Sequence, residues 1–159
     1  MRHRYIVLLL LLATFALWTH PLDHESLWRD EVDTIRFAFR SWESIQKHHS
    51  GIELVKDWTS QLTSIGENGP LYFWIMGIWL RIVGQTEVAL RLSSTFSAIV
   101  AIALMFTIGK TIFNSRVGLV GSTLLAVNPY VSWYAGEGKM YTLILCLVLL
   151  STLLLSRAL

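Results

Sequence analysis

The chain has 159 residues, of which 53% are hydrophobic and 15% charged, and its mean hydropathy is +0.52. These values indicate an integral membrane protein and exclude an ordinary soluble domain. The formal net charge is only +2, and the 13 Lys and Arg residues are scattered between apolar segments. This distribution argues against binding to nucleic acid, which requires basic residues gathered on one face.

Four segments are apolar enough to cross a bilayer, which takes roughly 20 residues. They are residues 5–19, 92–109, 117–134 and 140–156. The first follows a basic start and carries a weak cleavage signal, as a secretory signal peptide would, but we interpret it as an uncleaved signal anchor. Pro129 is expected to loosen the helix near the end of the third segment.

The apolar stretch 71–84 is short for a membrane span, because it would form a helix only about 21 Å long against a hydrocarbon core of about 30 Å. If it does not span, Lys110 and Arg116 fall on the cytoplasmic side, as the positive-inside rule requires. We therefore predict a shallow or re-entrant helix here. Residues 20–91 then form one outer loop, with Arg91 at its end.

Within this outer loop, apolar residues recur at helical spacing from Val32 to Ile45, with charged residues between them. The pattern predicts an amphipathic helix lying in the plane of the membrane interface. Asp30, Asp33 and Thr34 would share one face of it, with Asp30 at the helix start. The predicted fold class is an all-α, polytopic helical membrane protein with interfacial helices in the first outer loop.

Asp30 and Glu31 stand just beyond the first apolar segment, in the sequence Trp28-Arg29-Asp30-Glu31. A carboxylate pair held at a membrane surface can take a proton from a hydroxyl group or hold a cation. Two acidic residues at a helix start are explained equally well by their favourable interaction with the helix dipole. These residues alone leave both interpretations open.

A second group of candidate residues follows the third apolar segment and combines aromatic side chains with one acid and one base. It comprises Tyr130, Trp133, Tyr134, Glu137, Lys139 and Tyr141. Such a set is typical of the aromatic belt of membrane proteins, with charged groups extending to the lipid headgroups. The same set would also suit a surface that stacks on a sugar ring and binds a phosphate.

Histidines are concentrated in the outer loop. His20 and His24 flank Asp23, and His48 and His49 are adjacent, but the two pairs are far apart in sequence. No compact spacing of the zinc-site type results. We therefore assign no metal ligands and name no certain cofactor, while a divalent metal ion stays open.

Four sequence elements occur in a defined order along the chain. They are Trp28-Arg29-Asp30-Glu31, Asn68-Gly69-Pro70-Leu71-Tyr72-Phe73-Trp74, the stretch 83–94 that contains Arg91, and the stretch 134–141. Together they resemble the N-terminal part of polytopic GT-C type glycosyltransferases, nearest to the protein O-mannosyltransferase and aminoarabinose transferase group. The resemblance covers nearly all of residues 1–159. It implies that residues 1–159 are the N-terminal part of a GT-C transmembrane module, and we expect the chain to be a fragment of a longer enzyme.

The resemblance also implies roles for individual residues. Asp30 and Glu31 match the catalytic acidic pair of the family, with Asp30 as the expected catalytic carboxylate. The residues matched to substrate binding are Arg91, Glu137, Lys139 and Tyr141. Two positions depart from the family pattern: Gly69 replaces a proline, and Lys139 replaces an arginine, which keeps the charge but loses bidentate contact with a phosphate.

The reaction implied by the resemblance is inverting transfer of a hexose or pentose from a polyprenyl-phosphate donor to a lipid, glycan or protein acceptor. The chain has no glycine-rich nucleotide-binding element, which agrees with a donor dissolved in the bilayer. The alternative is a non-catalytic transporter or assembly subunit, for which ionisable groups in the middle of the spans would be expected. We expect a bacterial plasma membrane and an extracytoplasmic active site.

Overall fold

The computed structural model describes residues 2–23, 26–47 and 70–158, and within these ranges it contains α-helices and no β-strand. The helices are α1 (Arg2–Thr19), α2 (Arg29–Lys47), α3 (Pro70–Val83), α4 (Glu87–Ile112), α5 (Ser115–Ala126), α6 (Pro129–Ala135) and α7 (Tyr141–Ala158). The predicted all-α fold of a helical membrane protein is confirmed.

Two of these helices, α4 and α7, are long and apolar enough to cross a membrane. They contain nearly all of the predicted spans 92–109 and 140–156. Large apolar side chains of α7, such as Leu147, Leu154 and Leu155, are exposed, which suits contact with lipid tails. The apolar stretches Tyr5–Thr19 in α1 and Leu71–Val83 in α3 are shorter.

Residues 117–134, predicted as one span, belong to two helices in the structure. Helix α5 ends at Ala126 and α6 begins at Pro129. The side-chain oxygen of Asn128 accepts hydrogen bonds from the main-chain N–H groups of Tyr130 at 2.9 Å and Val131 at 3.2 Å. Proline suits the first position of a helix, because the N–H it lacks would have no partner there. We expected a loosened helix at Pro129. The structure shows instead that one helix ends and a new helix begins there.

The chain divides into two compact units, Leu27–Leu90 and Met1–Ser26 with Arg91–Leu159. In the first unit, α2 packs on α3. The ring centroids of Phe37 and Phe73 are 5.5 Å apart. Among residues 29–39 of α2 the buried side chains are those of Glu31, Thr34 and Ala38, and among residues 71–83 of α3 they are those of Tyr72, Phe73, Met76 and Leu80.

The first residue of the apolar series that predicted α2 lies outside the buried face of the helix. Val32 is 49% exposed, whereas Glu31 and Thr34, one position before and two after it, are buried. The predicted helix is thus present, and its apolar face at Val32 is left uncovered by α3. Placement of that face in the membrane interface stays a prediction.

Specific local contacts end α3 and start α4. Gly84 has a φ of 110°, a left-handed conformation that favours glycine, and its N–H donates to the carbonyl of Leu80 at 3.0 Å. The Thr86 hydroxyl oxygen then accepts from the main-chain N–H of Ala89 at 3.1 Å, which caps the start of α4. The Trp79 indole donates to the Ala89 carbonyl at 2.7 Å and holds the turn against α3.

In the second unit, α1 packs on α5, and the rings of Phe15 and Phe96 stack with centroids 5.5 Å apart. Asn114 caps the start of α5, because its Oδ1 accepts from the main-chain N–H groups of Arg116 and Val117. The buried core of this unit comprises Trp18, Ala98, Ile102, Ala126 and Ala135. Helix α4 contributes Ala98 and Ile102 to this core.

Candidate functional site

The predicted site residues are divided between the two compact units. Asp30 and Glu31 belong to the unit Leu27–Leu90, at the start of α2. The four predicted substrate-binding residues, Arg91, Glu137, Lys139 and Tyr141, belong to the other unit.

The two neighbouring carboxylates have different surroundings. Glu31 is fully buried, and its Oε2 accepts from the main-chain N–H of Trp28 at 3.4 Å. This is the geometry of an acidic residue that reaches back to cap its own helix. The Trp28 carbonyl in turn accepts from the N–H groups of Glu31 and Val32. Glu31 therefore stabilises the helix start.

Asp30 is only partly buried, so its carboxylate is the more accessible member of the pair. Its main-chain carbonyl accepts from the Thr34 hydroxyl at 3.0 Å, which adds a contact within the first turn of α2. The structure thus places Asp30 at the helix start, as predicted. A partly exposed carboxylate on an ordered first turn is suited to accept a proton from a bound hydroxyl group.

Tyr72 is a buried polar residue near Glu31 and was not predicted as a site residue. Burial, and to a smaller extent the negative charge of Glu31, raise the pKa of Tyr72 well above its ordinary value of 10.0. Its hydroxyl group stays protonated and has no hydrogen-bond partner among the described residues. The signal in the sequence was its place directly after Pro70 and Leu71, in one of the quoted elements.

Arg91 is buried in the first half of α4 and makes two contacts with main-chain carbonyls. Its Nη1 donates to Leu22 at 2.9 Å and its Nη2 to Ser26 at 3.3 Å. Both acceptors lie in the connection that follows α1. Two of its nitrogen atoms therefore hold the main chain at Leu22 and Ser26, a role that the sequence did not reveal because 69 and 65 residues separate the partners.

Two further residues of α4 hold the loop that contains Glu137 and Lys139. The Thr95 hydroxyl donates to the carbonyl of Ala135 at 2.8 Å, and the Ser94 hydroxyl to the carbonyl of Lys139 at 3.1 Å. The structure thus brings the turn of α4 that starts at Arg91 together with the 135–139 segment. Ser94 and Thr95 were missed as site residues, because isolated hydroxyl groups in an apolar helix usually bond within that helix.

The loop also orders its own aromatic side chains. The Trp133 indole N–H donates to Glu137 Oε1 at 2.6 Å, and the rings of Tyr134 and Tyr141 have centroids 4.5 Å apart. The Trp133 side chain is 70% exposed. Glu137, Lys139 and Tyr141 therefore lie on a surface that combines aromatic rings with both signs of charge, next to the N-terminal end of α7.

Potential metal ligands do not cluster in the described part of the chain. Among residues 2–23, 26–47 and 70–158 there is no group of three His, Cys, Asp or Glu side chains placed to hold an ion. Three histidines of the outer loop, His24, His48 and His49, lie outside the described residues, as does Gly69.

A sequence model of the dolichyl-phosphate-mannose-protein mannosyltransferases matches residues 67–159, which is more than half of the chain. No curated protein and no solved structure matches the chain significantly. The matched region includes Tyr72, Arg91 and the Glu137–Lys139 loop, and it begins after the Asp30–Glu31 pair.

Proposed function

Because the chain belongs to the dolichyl-phosphate-mannose-protein mannosyltransferase family, we propose that it transfers a sugar from a polyprenyl-phosphate donor to an acceptor on the extracytoplasmic face of the membrane. The family match over residues 67–159 is the observation that carries this proposal. This match indicates a membrane glycosyltransferase. The length and composition of α4 and α7 agree with that class. The proposed location is a bacterial plasma membrane, and the acceptor is a lipid, a glycan or a protein.

In the proposed reaction, Asp30 acts as general base. Its carboxylate takes the proton of the acceptor hydroxyl while the hydroxyl oxygen bonds to the anomeric carbon of the sugar. The bond between that carbon and the lipid phosphate oxygen breaks, the electron pair leaves with the phosphate, and the configuration inverts. Glu31 is buried and caps the helix start, so it supports the residue that performs this step.

The proposed contact for the donor phosphate is the loop with Lys139, because a positive charge there stabilises the charge that develops on the leaving group. Glu137 and Tyr141 would contact the sugar of the donor, next to the exposed ring of Trp133. Arg91 would add a second positive charge, although two of its nitrogen atoms already donate to main-chain carbonyls.

Turnover of a panel of radiolabelled polyprenyl-phosphate sugars tests this proposal. Membranes carrying the full-length gene product would be compared with those carrying Asp30→Asn and the control Asp33→Asn, a partly buried carboxylate one helical turn later. We expect one donor to be consumed by the wild type and by Asp33→Asn, with turnover by Asp30→Asn lower by about 100-fold or more. Treatment with EDTA in the same assay tests whether a divalent ion takes part.

Two outcomes would count against the proposal. If the wild type is correctly inserted but consumes no donor, a transporter or assembly subunit becomes the better assignment. If Asp30→Asn turns over at the rate of the wild type, the transferase assignment stands but Asp30 is not the base.

A further inference from the structure

One turn of α4 presents three buried polar residues on a single face. Arg91, Ser94 and Thr95 follow the spacing i, i+3 and i+4, which places their side chains side by side on a helix. Thr95 is 0% exposed and Ser94 is 2% exposed. Buried polar groups of this kind are unfavourable unless they are hydrogen-bonded, so the identity of their partners is informative.

The partners of Ser94 and Thr95 bracket the loop that contains Glu137. Thr95 donates to the carbonyl of Ala135, the last residue of α6, and Ser94 donates to the carbonyl of Lys139. The final carbonyls of a helix have no partner within it. The two hydroxyl groups therefore satisfy acceptors at both ends of the loop and fix its two ends to the same face of α4.

This use of hydroxyl groups differs from that of three other hydroxyl residues of α4. Ser97, Thr107 and Thr111 each donate to the carbonyl four residues earlier in their own helix, at 2.8 to 2.9 Å. Thr95 has its shorter contact, 2.8 Å, with Ala135 and only a 3.4 Å contact within α4. The hydroxyl of Thr95 is thus directed to another segment of the chain.

We propose that Ser94 and Thr95 are positioning residues for the Glu137–Lys139 loop, and through it for the lipid-phosphate sugar donor. The donor part of this inference rests on the proposed function. Neither hydroxyl group contacts the donor itself, since both are buried and already donate to main-chain oxygen atoms. Their effect is to hold Lys139 and Glu137 in the geometry that binds the donor.

The decisive variants preserve the shape of the side chain and change only the hydroxyl group. Thr95→Val removes the hydroxyl group from a side chain of the same shape. Thr95→Ser keeps the hydroxyl group. Thr107→Val is the matched control, because the Thr107 hydroxyl donates to the carbonyl of Ala103 within α4. Donor KM, acceptor KM and kcat would be measured on the full-length gene product, normalised to the amount of folded protein.

We expect Thr95→Val to raise the donor KM by about tenfold while the acceptor KM changes little, and we expect Thr95→Ser and Thr107→Val to behave like the wild type. A loss of folded protein alone would lower the total rate but would leave the donor KM unchanged. A wild-type donor KM in Thr95→Val, or an equal increase in Thr107→Val, would overturn the inference.

Hydrogen–deuterium exchange separates this inference from the proposed function. The amides of residues 136–140 are expected to exchange faster in Thr95→Val than in the wild type and in Thr107→Val, without any donor present. Faster exchange supports the positioning role even if no lipid-phosphate sugar is consumed. Unchanged exchange in Thr95→Val would overturn that role even if the transferase activity is established.

Discussion

Gly109 of α4 and Gly118 of α5 lie so close that a Cβ built on Gly109 would be 2.6 Å from the Cα of Gly118. A Cβ on Gly118 would be 2.5 Å from the Phe106 carbonyl oxygen and 3.0 Å from the Lys110 nitrogen. These neighbours are main-chain atoms of a helix and have little freedom to move. Close approach of two helix backbones through small residues is a common basis of packing in membranes.

We therefore expect Gly118→Ala to destabilise the protein, by roughly 1–3 kcal/mol as overpacked sites generally do. Gly121→Ala is the matched control, because a Cβ there would meet only side-chain atoms of Met105 at 3.5 and 3.6 Å. The better helix propensity of alanine should leave that variant as stable as the wild type. Thermal unfolding of the purified proteins in detergent checks this, and equal melting temperatures for the two variants would contradict it.

Glu31 and Asp30 should differ in their effect on stability. Glu31→Ala removes a fully buried side chain that caps α2, so we expect a loss of about 1–3 kcal/mol in the free energy of unfolding. Asp30→Ala removes a partly exposed side chain, with an expected loss of less than about 1 kcal/mol. Denaturant unfolding followed by tryptophan fluorescence measures both. An unchanged free energy of unfolding in Glu31→Ala would show that the buried side chain of Glu31 does not stabilise the fold.

Tyr72→Phe should be tolerated, because it removes only a buried hydroxyl group without a hydrogen-bond partner among the described residues. We expect its free energy of unfolding at pH 8 to equal or exceed that of the wild type. Tyr72→Ala, which removes the ring that packs against Phe73, should lose about 3–5 kcal/mol. A marked loss in Tyr72→Phe would show that the hydroxyl group has a stabilising partner.

The raised pKa of Tyr72 adds a dependence on pH. In the unfolded chain this phenol releases its proton near its ordinary pKa of 10.0, whereas the folded state retains the proton to higher pH. Ionisation of Tyr72 therefore favours the unfolded state, and the free energy of unfolding falls as the pH rises above about 10. We expect the wild type to lose more stability than Tyr72→Phe between pH 8 and pH 11. Parallel losses in the two proteins would contradict the shift.

Much of the helical framework was predictable from hydropathy and periodicity. Helices α4 and α7 follow from the length of their apolar runs, and α2 follows from the spacing of apolar residues between Val32 and Ile45. These are local signals, since each is contained within one helix. The break before α6 was only partly predicted: Pro129 signalled a disturbance, but the capping of the new helix by Asn128 appears in the structure alone.

The partners of buried polar residues were not predictable, because they are distant in sequence. Thr95 meets Ala135 across 40 residues, and Arg91 meets Leu22 across 69. A single sequence carries no information on which carbonyl a buried hydroxyl group will reach. Likewise, apolar periodicity identified α2, but the burial of Glu31 and Thr34 beside the exposed Val32 appears in the structure alone.

Lys139 offers a direct test of the proposed donor site. Its main-chain carbonyl accepts a hydrogen bond from the Ser94 hydroxyl, and its side chain is partly exposed. Lys139→Met removes the positive charge, so we expect the donor KM to rise roughly tenfold or more, as loss of a charged hydrogen bond generally costs about 1.5–3 kcal/mol. Lys139→Arg introduces a planar guanidinium group, whose paired N–H groups suit a phosphate. We therefore expect this variant to lower the KM for the sugar donor.

The control for this test is Lys110→Met, which removes an exposed lysine near the C-terminal end of α4. Its donor KM should equal that of the wild type, because the charge is removed far along the helix from the turn that holds the 135–139 segment. Steady-state kinetics with varied donor and a fixed acceptor measure all three variants. If Lys139→Met keeps a wild-type donor KM while its kcat falls, Lys139 acts on the leaving phosphate only in the transition state and does not bind the donor beforehand.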